Sequence, residues 1–67
     1  MEIILNGERE LIEKEYSVTE LVQELQMKPD IVTVSVNGDI LNRDDFDKTM
    51  VKDGDAVDIL LFMGGGE

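Results

Sequence analysis

The chain has 67 residues, a formal net charge of −10, and neither cysteine nor histidine. This length predicts a single small domain, and a hydrophobic fraction of 42% is too high for a disordered acidic tail. Without cysteine, disulfides, thiolate metal sites and a cysteine nucleophile are excluded. Without histidine, the chain lacks the commonest general base and the commonest metal ligand.

The charge balance also limits the kinds of partner. Sixteen acidic residues face six basic ones, so the surface repels nucleic acids and anionic lipids and favours a basic protein partner. The longest apolar run, Ile59 to Met63, is far shorter than the roughly 20 residues that span a bilayer. The N-terminus "MEIILNGERE" is acidic and lacks the basic start of a signal peptide. We therefore expect a cytoplasmic protein that binds neither nucleic acid nor membrane.

An N-terminal hairpin is the first predicted element. Residues Glu2 to Asn6 are mainly aliphatic, and Asn6-Gly7 is a strong signal for a two-residue hairpin turn. Arg9 to Lys14 is the predicted returning strand. Ile3 and Leu5 are expected on one face of the hairpin, with Ile4 on the other.

A short amphipathic helix follows. Ser17 and Glu20 have the S-x-x-E spacing of a capping box, and Tyr16 is placed to act as a hydrophobic staple. Apolar residues then recur with the spacing of one helix face, at Val18, Leu21, Val22 and Leu25. The pattern predicts a helix of roughly nine or ten residues, and Pro29 prevents its continuation.

The second half of the chain reads as extended segments separated by turns. Ile31 to Asn37 alternates, with Val32, Val34 and Val36 expected to point inward. Asn37-Gly38 predicts a turn, and Ile40-Leu41 a short strand. In the polar stretch after it, Phe46 and Met50 are the expected anchors to the core.

The last strand is predicted from Ala56 to about Met63, after a tight turn at residues 52–55. Val57, Ile59 and Leu61 share one face of this strand, and Asp58, Leu60 and Phe62 share the other. The element order, with one helix and a mixed sheet of four to five strands, indicates an α+β fold. We expect a domain over residues 1–63 and a flexible tail over residues 64–67.

No arrangement typical of a catalytic or metal site is found. Ser17 and Ser35 have no histidine to activate them. Asp44, Asp45 and Asp47 lack the spacing of a calcium loop and fit a solvated acidic loop better. Neither Asn-Gly pair leads into a phosphate-binding motif.

The outer face of the last strand and the tail after it remain as candidate sites. The charged Asp58 indicates that this face is exposed to solvent. Leu60 and Phe62 are large apolar residues on the same face, which suggests a docking patch. Coverage of that face by Ile40, Leu41 or Phe46 is an equally acceptable alternative. The run Gly64 to Gly66 is narrow and conformationally free, and can enter a slot where another enzyme acts on a terminal carboxylate. A frayed terminus is the simpler alternative.

Residues along the whole chain resemble the ThiS family, the sulfur carrier proteins of thiamine biosynthesis. The family's features recur here in order; they are Val36-Asn37-Gly38, Arg43, Phe46, Asp53-Gly54-Asp55, the apolar strand Val57 to Met63, and Gly65-Gly66. Each motif is weak alone, and their order and spacing together are fairly specific. The resemblance implies a ubiquitin-like β-grasp fold with the first and last strands parallel and adjacent.

The resemblance also implies a carrier that is not itself an enzyme. In such a family an E1-like, ThiF-type adenylyltransferase uses ATP to activate the terminal glycine, here Gly66. A cysteine desulfurase relay then supplies sulfur, and the resulting thiocarboxylate donates it to thiazole synthase. The carrier binds no cofactor of its own, and we expect a free monomer.

One residue departs from the simplest family pattern, because Glu67 follows Gly66. The carboxyl group of Gly66 therefore lies within a peptide bond. Removal of Glu67 by a metalloprotease, or its origin as an expression artefact, is favoured over direct activation of Glu67.

The same features leave other functions open. The first is a related carrier serving cysteine, homocysteine or another sulfur product, which needs removal of Glu67; some carriers for other pathways resemble this pattern, with residues beyond Gly-Gly that must be trimmed. The others are the small subunit of molybdopterin synthase, a ubiquitin-like protein modifier, and a β-grasp interaction domain with an irrelevant tail.

Overall fold

The computed structural model describes residues 1–61. The predicted docking residue Phe62, the tail and its predicted boundary at residue 64 lie outside this range. Seven strands and one α-helix make up the described chain; they are β1 (Glu2–Leu5), β2 (Glu8–Leu11), β3 (Tyr16–Ser17), α1 (Val18–Glu24), β4 (Val32–Val36), β5 (Asp39–Ile40), β6 (Met50–Val51) and β7 (Ala56–Leu61). Short 3₁₀ turns occupy Pro29–Ile31 and Arg43–Asp45.

Five of the strands form one mixed sheet in the order β2-β1-β7-β4-β5. The N-terminal strand β1 and the last strand β7 run parallel and adjacent, and the other neighbours are antiparallel. One helix packs against this sheet through its buried residues Val18, Leu21 and Val22. The predicted α+β class, strand number and β-grasp arrangement are confirmed.

The two Asn-Gly pairs form the hairpin turns that the sequence predicts. Asn6 and Gly7 have φ angles of 51° and 85°, and Asn37 and Gly38 have 52° and 89°. Positive φ at both central residues is the requirement of a type I′ turn, which suits the twist of the flanking strands. After the first turn, β2 ends at Leu11 and not at Lys14, so the returning strand is shorter than predicted.

The predicted capping box is present at the start of α1. The Ser17 hydroxyl accepts a hydrogen bond from the Glu20 N–H at 3.1 Å, and the Glu20 carboxylate accepts one from the Ser17 N–H at 3.0 Å. The helix has seven residues, fewer than the nine or ten predicted. Pro29 is not what ends it, since the chain has already turned at Gln26.

A Schellman-type cap terminates the helix instead. Gln26 has a φ of 63°, its N–H bonds the Gln23 carbonyl, and the Met27 N–H bonds the Val22 carbonyl. These two bonds satisfy carbonyls that the helix end would leave free. Glycine usually occupies the left-handed position after a helix, so the glutamine at this position does not indicate a helix end in the sequence.

Ten buried apolar residues form a single core between α1 and the sheet; they are Ile3, Val18, Leu21, Val22, Val32, Val34, Phe46, Val51, Val57 and Ile59. Phe46 is an anchor as predicted. The expectation for Met50 is wrong, because its side chain is 41% exposed and Val51 is buried instead. Leu61 is also exposed, although it shares the register of the inner face.

A two-stranded ladder explains the reversal at Met50 and Val51. β3 and β6 pair antiparallel, with Tyr16 opposite Val51 and Ser17 opposite Met50. This pairing holds the helix N-terminus against the loop that precedes β7. Within residues 1–61, no helix combines the length and the apolar character needed to cross a membrane.

Candidate functional site

The outer face of the sheet carries two exposed apolar side chains on a shallow groove, Leu60 on β7 and Ile40 on β5. Leu60 is 66% exposed and Ile40 is 76% exposed. Both line a groove of about 580 Å³ with Asn6, Thr33 and Asp58. Leu60 and Ile40 are called the sheet patch below. Leu60 is therefore accessible, as the docking hypothesis requires.

The alternative in which other side chains cover this face does not hold for Leu60. Phe46 is buried in the core, on the opposite side of β7, and Leu41 packs against that core. Ile40 lies on the same side as Leu60 and widens the exposed apolar surface. Phe62, the second predicted docking residue, lies outside the described residues.

Polar groups of β4 lie between the two members of the sheet patch, since Thr33 pairs with Leu60 and Ser35 pairs with Ile40. Ser35 and Asp58 face each other across β4 and β7, and the serine hydroxyl donates to the aspartate carboxylate at 3.5 Å. The patch is thus a small apolar area within a polar surface, which suits a contact that forms and dissociates.

The Asn6 side chain holds the backbone of β7 next to Leu60. Its amide nitrogen donates to the Ile59 carbonyl at 3.2 Å, and its amide oxygen accepts from the Ile59 N–H at 2.7 Å. This pair of bonds continues the β1–β7 ladder beyond Leu5, where β1 has already turned away. Asn6 therefore both forms the hairpin turn and fixes the strand that leads towards the C-terminus.

Asn37 makes an equivalent contact at the start of β7. Its amide oxygen accepts from the Ala56 N–H at 2.9 Å, and its amide nitrogen donates to the Asp55 carboxylate at 3.1 Å. Asp55 also accepts from the Lys52 N–H, and Asp53 accepts from the Glu2 N–H. The V-N-G and D-G-D motifs are therefore in contact, and together they position β7.

Replacing Asn6 with glycine isolates the side-chain contribution, because glycine also accepts a positive φ. We expect Asn6→Gly to lower the free energy of unfolding by about 1–3 kcal/mol, since two hydrogen bonds to the Ile59 backbone are lost. Urea denaturation measures this change. Asn6→Asp retains the acceptor but turns a carboxylate oxygen towards the Ile59 carbonyl, so it should also be less stable than the parent protein. Unchanged stability of the glycine variant would show that the two bonds contribute nothing.

The other candidate side chains form no catalytic arrangement within residues 1–61. No group of three or more carboxylates is placed to hold a metal ion in that part of the chain. Arg43 bonds the Asp30 carbonyl and pairs with its carboxylate at 3.3 Å, with both side chains exposed. Such a surface pair contributes little to stability. Gly64, Gly65, Gly66 and Glu67 lie outside the described residues.

Comparison with known protein families shows which family the chain belongs to. The model of the ThiS family matches residues 2–66, so the match reaches Gly66 and leaves only Met1 and Glu67 outside. The chain belongs to the ThiS family. The sequence motifs had predicted this membership, and it is confirmed.

Solved structures of ThiS proteins agree with the fold. The crystal structure of the thiamine biosynthesis protein ThiS from Geobacter metallireducens has 45% sequence identity and a TM-score of 0.85, covering 98% of this chain and 100% of its own. An NMR solution structure of a thiamine biosynthesis protein from the same organism has 44% identity and a TM-score of 0.83, covering 100% of this chain and 90% of its own.

A longer relative contains a ThiS-like segment. The thiazole synthase of Paramagnetospirillum magneticum is 32% identical over 66 residues, which cover 98% of this chain. The chain spans only 20% of the length of that curated relative. Most of that protein therefore has no counterpart in this ThiS-family chain.

Proposed function

We propose that the protein is a sulfur carrier of thiamine biosynthesis whose Gly66 carboxyl group becomes a thiocarboxylate. The observation that carries this proposal is the extent of the family match, which ends at the second glycine of the Gly65-Gly66 pair. The protein is a co-substrate, and the catalytic groups belong to its partner enzymes. We expect it to act as a monomer when free.

Activation of Gly66 requires a better leaving group than a carboxylate oxygen. A ThiF-like adenylyltransferase supplies it: a carboxylate oxygen attacks the α-phosphorus of ATP, pyrophosphate leaves, and an acyl-adenylate forms. Sulfur from a cysteine desulfurase relay then attacks the acyl carbon and displaces AMP. The carrier itself contributes a reachable terminus and holds no cofactor.

The sheet patch is the proposed docking surface for the activating enzyme. Leu60 lies in the strand that leads directly to Gly66, six residues later. Since an extended chain spans at most about 3.5 Å per residue, Gly66 lies within roughly 20 Å of Leu60. An enzyme that binds the patch therefore has the terminus within reach of a nearby active site. Phe62 is proposed to extend the same surface.

Thiazole synthase is the proposed recipient of the sulfur. A polypeptide named thiazole synthase contains a segment that matches 98% of this chain, which supports a direct transfer between the two activities. Covalent linkage raises the local concentration of a carrier near its partner. A separate carrier must achieve the same encounter by diffusion and docking.

Glu67 requires a further step in this scheme, because it blocks the carboxyl group of Gly66. We propose that a metalloprotease removes it where Glu67 is present in the cell. A carrier for a different sulfur product is the second candidate function. The observation that favours it is Glu67 itself, since related carriers of that kind require trimming.

Intact-mass measurement tests the carrier chemistry. The version ending at Gly66 and the version ending at Glu67 are each incubated with a ThiF-like enzyme, ATP and a sulfur source. We expect the Gly66 version to gain the mass of one sulfur-for-oxygen exchange, and the Glu67 version to gain it only after protease treatment. Reactions without ATP are the control.

Two results would contradict the proposal. Failure of the Gly66 version to be activated would exclude a carrier that uses this residue. Isopeptide adducts on lysines of other proteins would instead identify a protein modifier.

A further inference from the structure

A second groove lies on the side of the sheet that carries the helix. It has a volume of about 280 Å³ and runs between α1 and the β1–β2 hairpin. Four half-buried apolar side chains form its floor; they are Leu5, Ile12, Tyr16 and Leu25. It is called the helix-side groove below. An apolar floor that remains partly open to solvent can gain from covering by another chain.

The rim of the helix-side groove is acidic. Glu10, Glu13 and Glu24 line it, and all three are exposed. Partial burial raises the pKa of the Tyr16 phenol, and the negative charges of Glu24, Glu13 and Glu20 raise it further. These carboxylates therefore create a negative potential over the groove floor. A partner that covers the floor must bring positive charge to this rim.

Tyr16 also lines a neighbouring depression, together with Lys14 and Glu20. The Lys14 ammonium lies 5.6 Å from the centre of the Tyr16 ring, a separation typical of a cation–π contact. The Tyr16 ring therefore already interacts with one cation beside the groove. A lysine or arginine from another protein fits the same chemistry, and arginine combines it with hydrogen bonds to carboxylates.

The groove also borders a free sheet edge. β2 is the outermost strand on this side of the five-stranded sheet and pairs only with β1 among residues 1–61. All four of its residues are exposed. Strands at an edge offer alternate backbone N–H and C=O groups to an added strand. An extended segment beside β2 would lie along the groove and gain both backbone and side-chain contacts.

The negative charge of the groove rim indicates which kind of molecule can bind in the helix-side groove. A second copy of this chain carries −10 and would place Glu8 and Glu10 of one edge against those of the other. Like charges directly opposite each other in a sheet are destabilising. Nucleic acid is repelled by the same charge. A basic protein segment is the occupant that complements the rim.

We propose that the helix-side groove binds an extended segment of a partner protein whose groove-facing positions, every second residue, include both apolar residues and arginine or lysine. The apolar side chains cover the groove floor, the basic side chains on the same face pair with Glu10, Glu13 and Glu24, and the backbone adds to β2. The sheet patch lies on the opposite face of the sheet. The carrier can therefore hold one partner at the sheet patch and a second at the groove at the same time.

NMR titration of the ¹⁵N-labelled protein tests this proposal without any activation chemistry, so its outcome is independent of the proposed carrier function. The probe is a ten-residue peptide in which every second residue is serine and the positions between them are alternately valine and arginine, so that one face carries both. We expect chemical-shift changes at the amides of β2, Tyr16 and Leu25, and none at Ile40 or Leu60. The same peptide with glutamate in place of arginine should cause no changes.

Paired variants separate the groove from general attraction to an acidic protein. Glu13→Gln with Glu24→Gln should weaken binding by about tenfold, the combined effect expected for two exposed charge pairs. Asp39→Asn with Asp44→Asn removes the same charge from exposed positions elsewhere and should change the affinity less than about twofold, as expected for screened, distant charges. Equal weakening by both pairs, shifts centred on Leu60, or no shifts at all would overturn the proposal.

Discussion

Gly65→Val is expected to lower the rate of ATP-dependent activation by the ThiF-like enzyme by at least about 100-fold, the size of effect that an ångström-scale misplacement of a reacting group produces. Valine is branched at Cβ, so it widens the chain and restricts its φ and ψ angles next to the reacting carboxyl group. Glycine does neither. The measurement is pyrophosphate release by the version of the carrier that ends at Gly66.

The melting temperature should be unchanged by this substitution. Glycine carries no side chain, and every residue of the described core lies between Ile3 and Ile59, so Gly65→Val removes no side chain from that core. Ala56→Val is the matched control, because it places a valine at an exposed position at the start of β7. The control should be activated normally. Near-normal activation of Gly65→Val would show that the proposed slot tolerates a side chain at this position.

The local signals in the sequence predicted most of the sheet and its helix. Asn6-Gly7 and Asn37-Gly38 each specify a turn by backbone geometry alone, and the Ser17–Glu20 capping box specifies where the helix begins. Both signals act over a few residues, so neighbouring parts of the fold cannot easily override them. The parallel pairing of β1 with β7 joins distant residues, and only the family resemblance predicted it.

The error at Met50 arises where tertiary contacts decide the local structure. Met50 and Val51 are both apolar, and nothing local shows which one faces the core; the pairing of β3 with β6 decides in favour of Val51. The early end of α1 was missed for a different, local reason. Gln26 adopts a left-handed conformation that its residue type does not favour, so the helix ends before the position at which Pro29 would stop it.

The candidate site was predictable in one respect and not in another. Alternation along β7 correctly placed Leu60 on the outer face, but a period of two residues cannot show whether another segment covers that face. The structure shows that Ile40 on β5 lines the same groove as Leu60 on β7, and that both are exposed. The bonds from the Asn6 and Asn37 side chains to β7 were missed, because each residue already had a complete explanation as a turn former.

Leu60→Asp is expected to lower kcat/KM for activation by about 30-fold, the effect of losing one central apolar contact worth about 2 kcal/mol. The decrease should come from a higher KM with kcat unchanged, because the contact at the sheet patch is the same in the bound complex and in the transition state. Ile40→Asp should have the same kind of effect, since Ile40 lines the same groove. Steady-state kinetics with the version ending at Gly66 measure both variants.

Stability distinguishes a docking residue from a core residue in this experiment. Leu60 is 66% exposed, so its replacement by aspartate should cost at most about 1 kcal/mol, the span of strand propensity. Met50→Asp is the matched control, because Met50 is 41% exposed on β6 and the substitution adds the same charge away from both the sheet patch and the helix-side groove. The control should keep its KM. An equal rise in KM for Met50→Asp would assign the effect to net charge, and unfolding of Leu60→Asp would place that side chain in the core.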